Sequence, residues 1–193
     1  MSVAIDLLLA VQFFELCYTA VSRHDKQKRG PEFERRAIAE LFRRLPLDRG
    51  DPGVLVNHTI VEESGPGEID FCFPVGDVLV VLEIKSWSRT VEYHRGDRTE
   101  FTNRQNELRE RLHRQADRYA RAAVREVRTA GRDVSGAVSF LCTADVEFVA
   151  PGRRTLWYGD TPRVLTAVEI AELVLDPIRW RRVAAFATLA EPL

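Results

Sequence analysis

Asp70, Glu83 and Lys85 are the residues whose types and spacing could do chemistry. Glu83 and Lys85 close the apolar run VLVVLEIK with only Ile84 between them, and the run reads as a buried strand. Side chains alternate along a strand, so the carboxylate and the amine share one face. Asp70 lies on the preceding run, IDFCF, which PVGD joins to the next as a hairpin. That connection lets Asp70 lie near Glu83 across the pair. Charged groups are costly to bury unless they are paired or bind a metal. Two carboxylates at close range either raise a pKa or demand a cation, and Mg²⁺ takes such oxygen ligands. A lysine beside them could stabilise developing negative charge or orient a water. Two carboxylates, a metal and a lysine suit phosphodiester hydrolysis. An ExK by itself is a weak signal, because many strands end in Glu and Lys that reach solvent.

The elements that must position these residues follow from pattern. PEFERRAIAELFRRL predicts a helix with Phe33, Ala37, Ile38, Leu41 and Phe42 on its apolar face. Glu34, Ile38 and Leu41 lie on one stripe, so Glu34 leans toward the sheet. DRGDPG breaks the chain, and the β-branched run VLVNHTIV predicts a strand. ESGPG reads as a turn and TVEYH as a short strand. The spacing of Leu108, Leu112, Ala116, Tyr119, Ala123 and Val127 predicts a long helix over 104–129. Gln115 falls at the edge of that apolar face. AVSFLCT and TLWY read as strands. Thr166 and Glu169 form a capping box before AVEIAELVL. Asp176 and Pro177 start a last helix, IRWRRVAAFATLA. A hairpin and a helical crossover together predict an α/β fold with a mixed central sheet.

These residues carry a resemblance. Asp70, then Glu83-Ile84-Lys85 on the next strand, resembles the D…ExK signature of the PD-(D/E)XK nuclease superfamily. The chain is also similar to the nuclease-related domain (NERD) branch over about residues 28–190. GPEFERR matches its GxxGE-like helix start, with Glu34 in the glutamate position. EIDFCF and LEIKSW match its middle strands. RQADRYA matches its glutamine helix, and Gln115 with Tyr119 fits the QxxxY of exonuclease-like members. AVSFLCTADVEF and TPRVLTAVEIAEL match its closing strand and helix. Two positions depart from the pattern: Phe33 replaces the second glycine of GxxGE, and no proline precedes the glutamine helix.

The resemblance implies a restriction-endonuclease-like core, a mixed sheet flanked by helices, spanning residues 31–193. It implies a Mg²⁺-dependent deoxyribonuclease, with Mn²⁺ as a substitute metal. Asp70, Glu83 and the Ile84 backbone carbonyl would hold the ion. Glu34 would complete its shell. Lys85 would assist the attacking water and Gln115 would hold substrate or water. Repair, restriction and phage defence all fit, so a helicase or defence-system partner stays open. The alternative is an inactive nucleic-acid- or partner-binding module that keeps the fold.

Several features have blander readings beside the functional one. Arg111, Arg114, Arg118, Arg121, Arg125, Arg128 and Arg132 form a stripe opposite the apolar face. It is either a track for DNA phosphates or a solvated face interspersed with Glu107, Glu110, Asp117 and Glu126. Trp87 either stacks on a base or caps the sheet end. Tyr119 reads as core before substrate contact. His58 and His94 read as packing or surface residues, and Cys72 as a small core residue.

The chain has 193 residues, 45% hydrophobic and 30% charged, which predicts one folded domain plus an extension. A net charge of −1 advertises no polyanion partner, so any basic surface is local. Cys17, Cys72 and Cys142 lie far apart, which favours reduced thiols in the cytoplasm. Residues 1–22 read as an amphipathic helix because Gln12, Glu15, Thr19 and Ser22 form a polar stripe; the alternative is a membrane anchor. Residues 23–30 read as a basic linker. The Arg stripe or the N-terminal helix could serve a homodimer.

Overall fold

In a computed structural model the described residues are 30–62, 65–85, 100–143 and 157–189. The N-terminal extension at 1–22, most of the basic linker, TVEYH, His94 and Trp87 lie outside them. A helix, α1, covers residues 30–44. It is followed by β1 (Leu55–Glu62), β2 (Gly65–Val75) and β3 (Val78–Lys85). The long helix α2 (Glu100–Thr129) leads to β4 (Gly136–Thr143). The short strands β5 (Trp157–Tyr158), β6 (Thr161–Pro162) and β7 (Val164–Leu165) come next. Helices α3 (Ala167–Leu175) and α4 (Pro177–Ala184) and the strand β8 (Thr188–Leu189) close the order.

The main sheet has the order β1-β2-β3-β4-β7, with β8 also on β4. β1, β2 and β3 pair antiparallel, whereas β3 with β4 and β4 with β7 pair parallel. The fold is therefore α/β with a mixed sheet. The β2–β3 turn is Gly76-Asp77 between the paired Val75 and Val78, and Gly76 takes φ 65°, where a Cβ would be strained. A parallel neighbour requires a crossover, and α2 supplies it.

Alternation along the strands builds two cores. Phe71, Phe73, Val80, Leu82, Val138 and Phe140 face α1, α3 and α4, meeting Ile38, Leu41, Ile170 and Leu173. Cys72, Leu79, Val81 and Ala137 face α2, meeting Ala120, Ala123, Val124 and Val127. A sheet covered on both faces needs strands that are apolar on both, which is why β3 and β4 are almost wholly buried. The α1 stripe docks as its period predicts, while Glu32–Arg36 and Glu40 with Arg43 and Arg44 pair along its outer side. The Thr166–Glu169 capping box forms, and Asp176 accepts from the Ile178 and Arg179 amides at the start of α4.

Three local expectations are corrected. Gly65, Pro66 and Gly67 are strand, not turn, pairing with Glu62, Val61 and Ile60. Pro66 is tolerated there because it stands at the start of β2. The long helix begins at Glu100, four residues earlier than the apolar period indicates. The last helix stops at Ala184, and Thr188-Leu189 pair with Gly136-Ala137 instead. That segment of β4 is uncovered by β7, which pairs only at Leu141 and Cys142. An open edge with unpaired backbone groups outweighs local helix propensity.

Among the described residues no helix is long and apolar enough to cross a membrane.

Candidate active site

The site forms where two strands part. The β2–β3 ladder runs from Val75↔Val78 to Phe71↔Leu82 and stops there. The next positions in register are Asp70 and Glu83. β3 keeps its parallel partner as far as Lys85↔Thr143. On the opened side the Ile84 backbone N–H donates to Asp70 Oδ2 at 2.6 Å, in place of a β2 carbonyl. A side-chain carboxylate thus finishes the ladder and is fixed by it.

Lys85 Nζ lies 2.6 Å from Glu83 Oε1 and 3.6 Å from Asp70 Oδ2. The Glu83 side chain is only 4% exposed, so its charge is held almost without water. Gln115 Nε2, from α2, donates to the same Glu83 oxygen at 3.3 Å and to the Tyr119 hydroxyl at 3.2 Å. Strand alternation and the period of α2 bring these residues to one place. Ile84 contributes backbone alone, because its side chain is buried on the opposite face of the sheet.

Electrostatics tie Glu34 to the group. Burial raises its carboxyl above the ordinary range; Asp70 and Glu68 add to this, while a hydrogen bond from Asn57 and the charge of Lys85 oppose it. Glu83 is raised by burial first, then by Asp70 and Glu34, against the pull of Lys85. Burial lowers Lys85, but Glu83 and Asp70 outweigh it and its pKa is raised, so the ammonium is the stable form. Among the described residues, negative charge therefore exceeds positive charge at this end of the sheet, a field that suits a cation.

The donor set fits a hard divalent ion of the Mg²⁺ kind. Asp70 and Glu83 offer oxygen donors within reach of one ammonium. Among the described residues no group of three or more His, Cys, Asp or Glu forms a metal centre. Mg²⁺ often takes only one or two carboxylates and keeps several waters, so two suffice for it and fall short for Zn²⁺.

Asn57 and Glu68 were not singled out by the sequence. Asn57 sits in β1 between the Val56↔Phe71 and His58↔Ile69 pairs, opposite Asp70, with φ 47°. Asn tolerates this left-handed region better than most residues. The signal was present as an Asn inside a β-branched run, where Asn is depleted. Also unanticipated is a buried polar network behind α2. Arg163, 6% exposed, bonds Asp117 and Ser139 and lies 4.8 Å over the Tyr158 ring. Tyr158 exchanges hydrogen bonds with the Ser139 backbone at 3.0 and 3.1 Å. His113, on α2, is buried, has no hydrogen-bond partner among the described residues on either ring nitrogen and is pushed down to about 3 by burial and then Arg163.

The arginine stripe is split. Arg128 donates to the Val134 carbonyl, and Arg132, beyond the helix end, pairs with Asp51. Arg114, Arg118 and Arg121 are exposed and line a cavity together with Gln115. This part of the stripe shares that cavity with the residue that bonds Glu83. His58 lies beside Glu126 at 4.0 Å on the surface. Cys72 is fully buried, as a small core residue should be.

Tyr119 owes its position to Gly67. A Cβ at residue 67 would lie 2.8 Å from Tyr119 Cε1. Gly67→Ala should cost about 1–3 kcal/mol by displacing the ring and the Gln115–Tyr119 bond. Urea unfolding checks this, and the Tyr119→Ala background should remove most of the penalty.

Compared with protein-family models, curated proteins and solved structures, the chain gives no match.

Proposed function

We propose that this protein is a metal-dependent nuclease that hydrolyses phosphodiester bonds in DNA, built on a restriction-endonuclease-like core. One observation carries the reading: Asp70, Glu83 and Lys85 converge where β2 and β3 part, with Gln115 from α2 bonded to Glu83. Asp70 and Glu83 would hold Mg²⁺ or Mn²⁺, with Glu34 near enough to act through water. The ion would supply Lewis-acid polarisation of the scissile phosphate. Lys85 would orient the attacking water and offset charge developing on the phosphate oxygens. Gln115 fixes the Glu83 carboxylate and would position substrate or water through its remaining polar atoms. Buried, unpaired Cys72 and Cys142 support a cytoplasmic setting.

A second reading is a non-cleaving nucleic-acid- or partner-binding module. It draws on the close Lys85–Glu83 contact, which already neutralises one carboxylate. Purified protein incubated with supercoiled plasmid and with linear single- and double-stranded DNA separates the two. Cutting that needs Mg²⁺ or Mn²⁺ and stops in chelator is the expected result. No cutting, with a flat metal titration, would leave the module.

A further inference from the structure

We infer that Asn57 is a positioning residue for the carboxylate cluster: its left-handed backbone turns the β1–β2 arm so that Asp70 reaches the Ile84 amide, and its side-chain amide holds Glu34. The inference rests on the nuclease reading for the role of the cluster, while the geometry stands without it. Among the described residues Asn57 is the only one other than glycine at positive φ, 47°. Such a conformation persists only where its surroundings impose it, and functional sites are where that happens most.

Its effect shows in the two strands. Leu55 and Cys72 pair across the ladder, and both pack on the α2 side of the sheet. Phe71 lies on the other side, against Phe42 of α1. Strict alternation would then carry Asp70 toward α2 and Ile69 toward α1. Ile69 lies instead in the α2-side core, together with Ile60. A Cβ at Gly67, the partner of Ile60, would also meet Tyr119 of α2. One step of alternation is therefore lost in each strand, between Leu55 and Ile60 and between Ile69 and Phe71. No residue is inserted, because Val56↔Phe71 and His58↔Ile69 keep one register. That excludes a bulge. The left-handed Asn57, between those two pairs and opposite Asp70, is where the arm turns.

The turn has two chemical consequences. Asp70 stands at the turn, where β2 leaves β3, and its carboxylate accepts from the Ile84 amide at 2.6 Å and lies 3.6 Å from Lys85 Nζ. Beyond the turn Glu68 falls on the face opposite Ile69, and its charge acts on Glu34. Asn57 donates a hydrogen bond to Glu34 against that repulsion. An amide suits the place, since it donates without adding charge and Asn tolerates the left-handed region. The β-branched residues that fill the rest of β1 do not tolerate it.

The test compares the full chain with Asn57→Gly, which keeps the backbone and removes the amide, and with Asn57→Val, which removes both. In a plain strand Val would be the better residue. Here Asn57→Val should unfold at lower urea than Asn57→Gly. Its Ile84 amide, followed by NMR, should exchange faster than in Asn57→Gly, beyond any change in the amides of the intact β2–β3 ladder. The Kd for Mn²⁺, titrated without DNA, should rise about tenfold in Asn57→Gly and about 100-fold in Asn57→Val. Glu34→Gln should weaken Mn²⁺ little further in the Asn57→Gly background, because both changes act through one contact. With DNA present, both variants should lower kcat and leave the KM for DNA unchanged. Asn57→Val as stable as Asn57→Gly, or with the Ile84 amide as protected, overturns the backbone role. Glu34→Gln keeping its full effect in the Asn57→Gly background overturns the amide role, and an unchanged Kd for Mn²⁺ in both variants overturns the whole inference. A wild-type chain that binds no Mn²⁺ and cuts no DNA refutes the nuclease reading, and urea unfolding and Ile84 exchange then uphold or overturn the turn by themselves.

Discussion

Lys85→Met should stop DNA cleavage, lowering the rate roughly 10²–10³-fold or more, while the chain stays folded. The side chain contacts both Glu83 and Asp70, so its loss removes the ammonium that, among the described residues, stands between those carboxylates. The variant should also be the more strongly stabilised by Mg²⁺, because a divalent ion then replaces the missing charge. Thermal unfolding with and without Mg²⁺ reads this directly. Glu83→Gln is the companion experiment. The Glu83 pKa is raised in the fold, so above the ordinary value of 4.5 its ionisation works against folding. An amide of the same shape removes that opposition, and Lys85 keeps Asp70 at 3.6 Å. Stability at neutral pH should hold or rise, by up to about 2 kcal/mol, while cleavage is lost. A drop in stability in Glu83→Gln would mark the pair as a structural ion pair and sink its catalytic role.

Arg163→Ala should cost about 3–5 kcal/mol. The guanidinium is nearly fully buried, and it bonds Asp117, the Ser139 hydroxyl and, at 3.4 Å, the Ser139 carbonyl. It also covers the Tyr158 ring. Deleting it leaves Asp117 and Ser139 without their cation at the seam between α2 and β4, and opens a cavity beside Tyr158. Denaturant unfolding monitored by circular dichroism measures the loss. Asp117→Asn, which keeps the shape of the side chain, should cost less because Asp117 is itself partly exposed. If Arg163→Ala unfolds at the wild-type denaturant concentration, the network contributes nothing to stability.

The sequence is most legible where one local pattern settles the structure. The run VLVVLEIK has no alternation because β3 is covered on both faces, and charges at its buried end had to be paired or bind a metal. The phase of Leu41 and Ile38 placed Glu34 on the sheet side of α1. The period of Ala116, Ala123 and Val127 placed Gln115 at a core boundary, where it meets Glu83. Thr166 and Glu169 cap α3 through contacts confined to one turn, so neighbours in sequence were sufficient.

Other features depend on partners far away in the chain. Asn57 takes its left-handed turn opposite Asp70 and hydrogen-bonds Glu34, a contact that joins β1 to α1. Arg163 reads locally as one more charged residue near a turn. Its burial comes from Asp117 and Ser139, on α2 and β4. Thr188 and Leu189 leave a helical pattern because β4 offers an open edge.

By itself, then, the sequence determined which residues could form a charged cluster, which strand face and helix phase each occupies, and that the fold is α/β. Those properties follow from periods of 2 and 3.6 residues, which need no knowledge of distant partners. Only the tertiary structure decided that the β2–β3 ladder stops at Phe71↔Leu82, so that Asp70 accepts from the Ile84 amide and the cluster opens between two strands. It also decided that Arg114, Arg118 and Arg121 share a groove with Gln115. Both depend on where separate elements come to rest, which is set by the packing of whole faces and cannot be read from any one window of the chain.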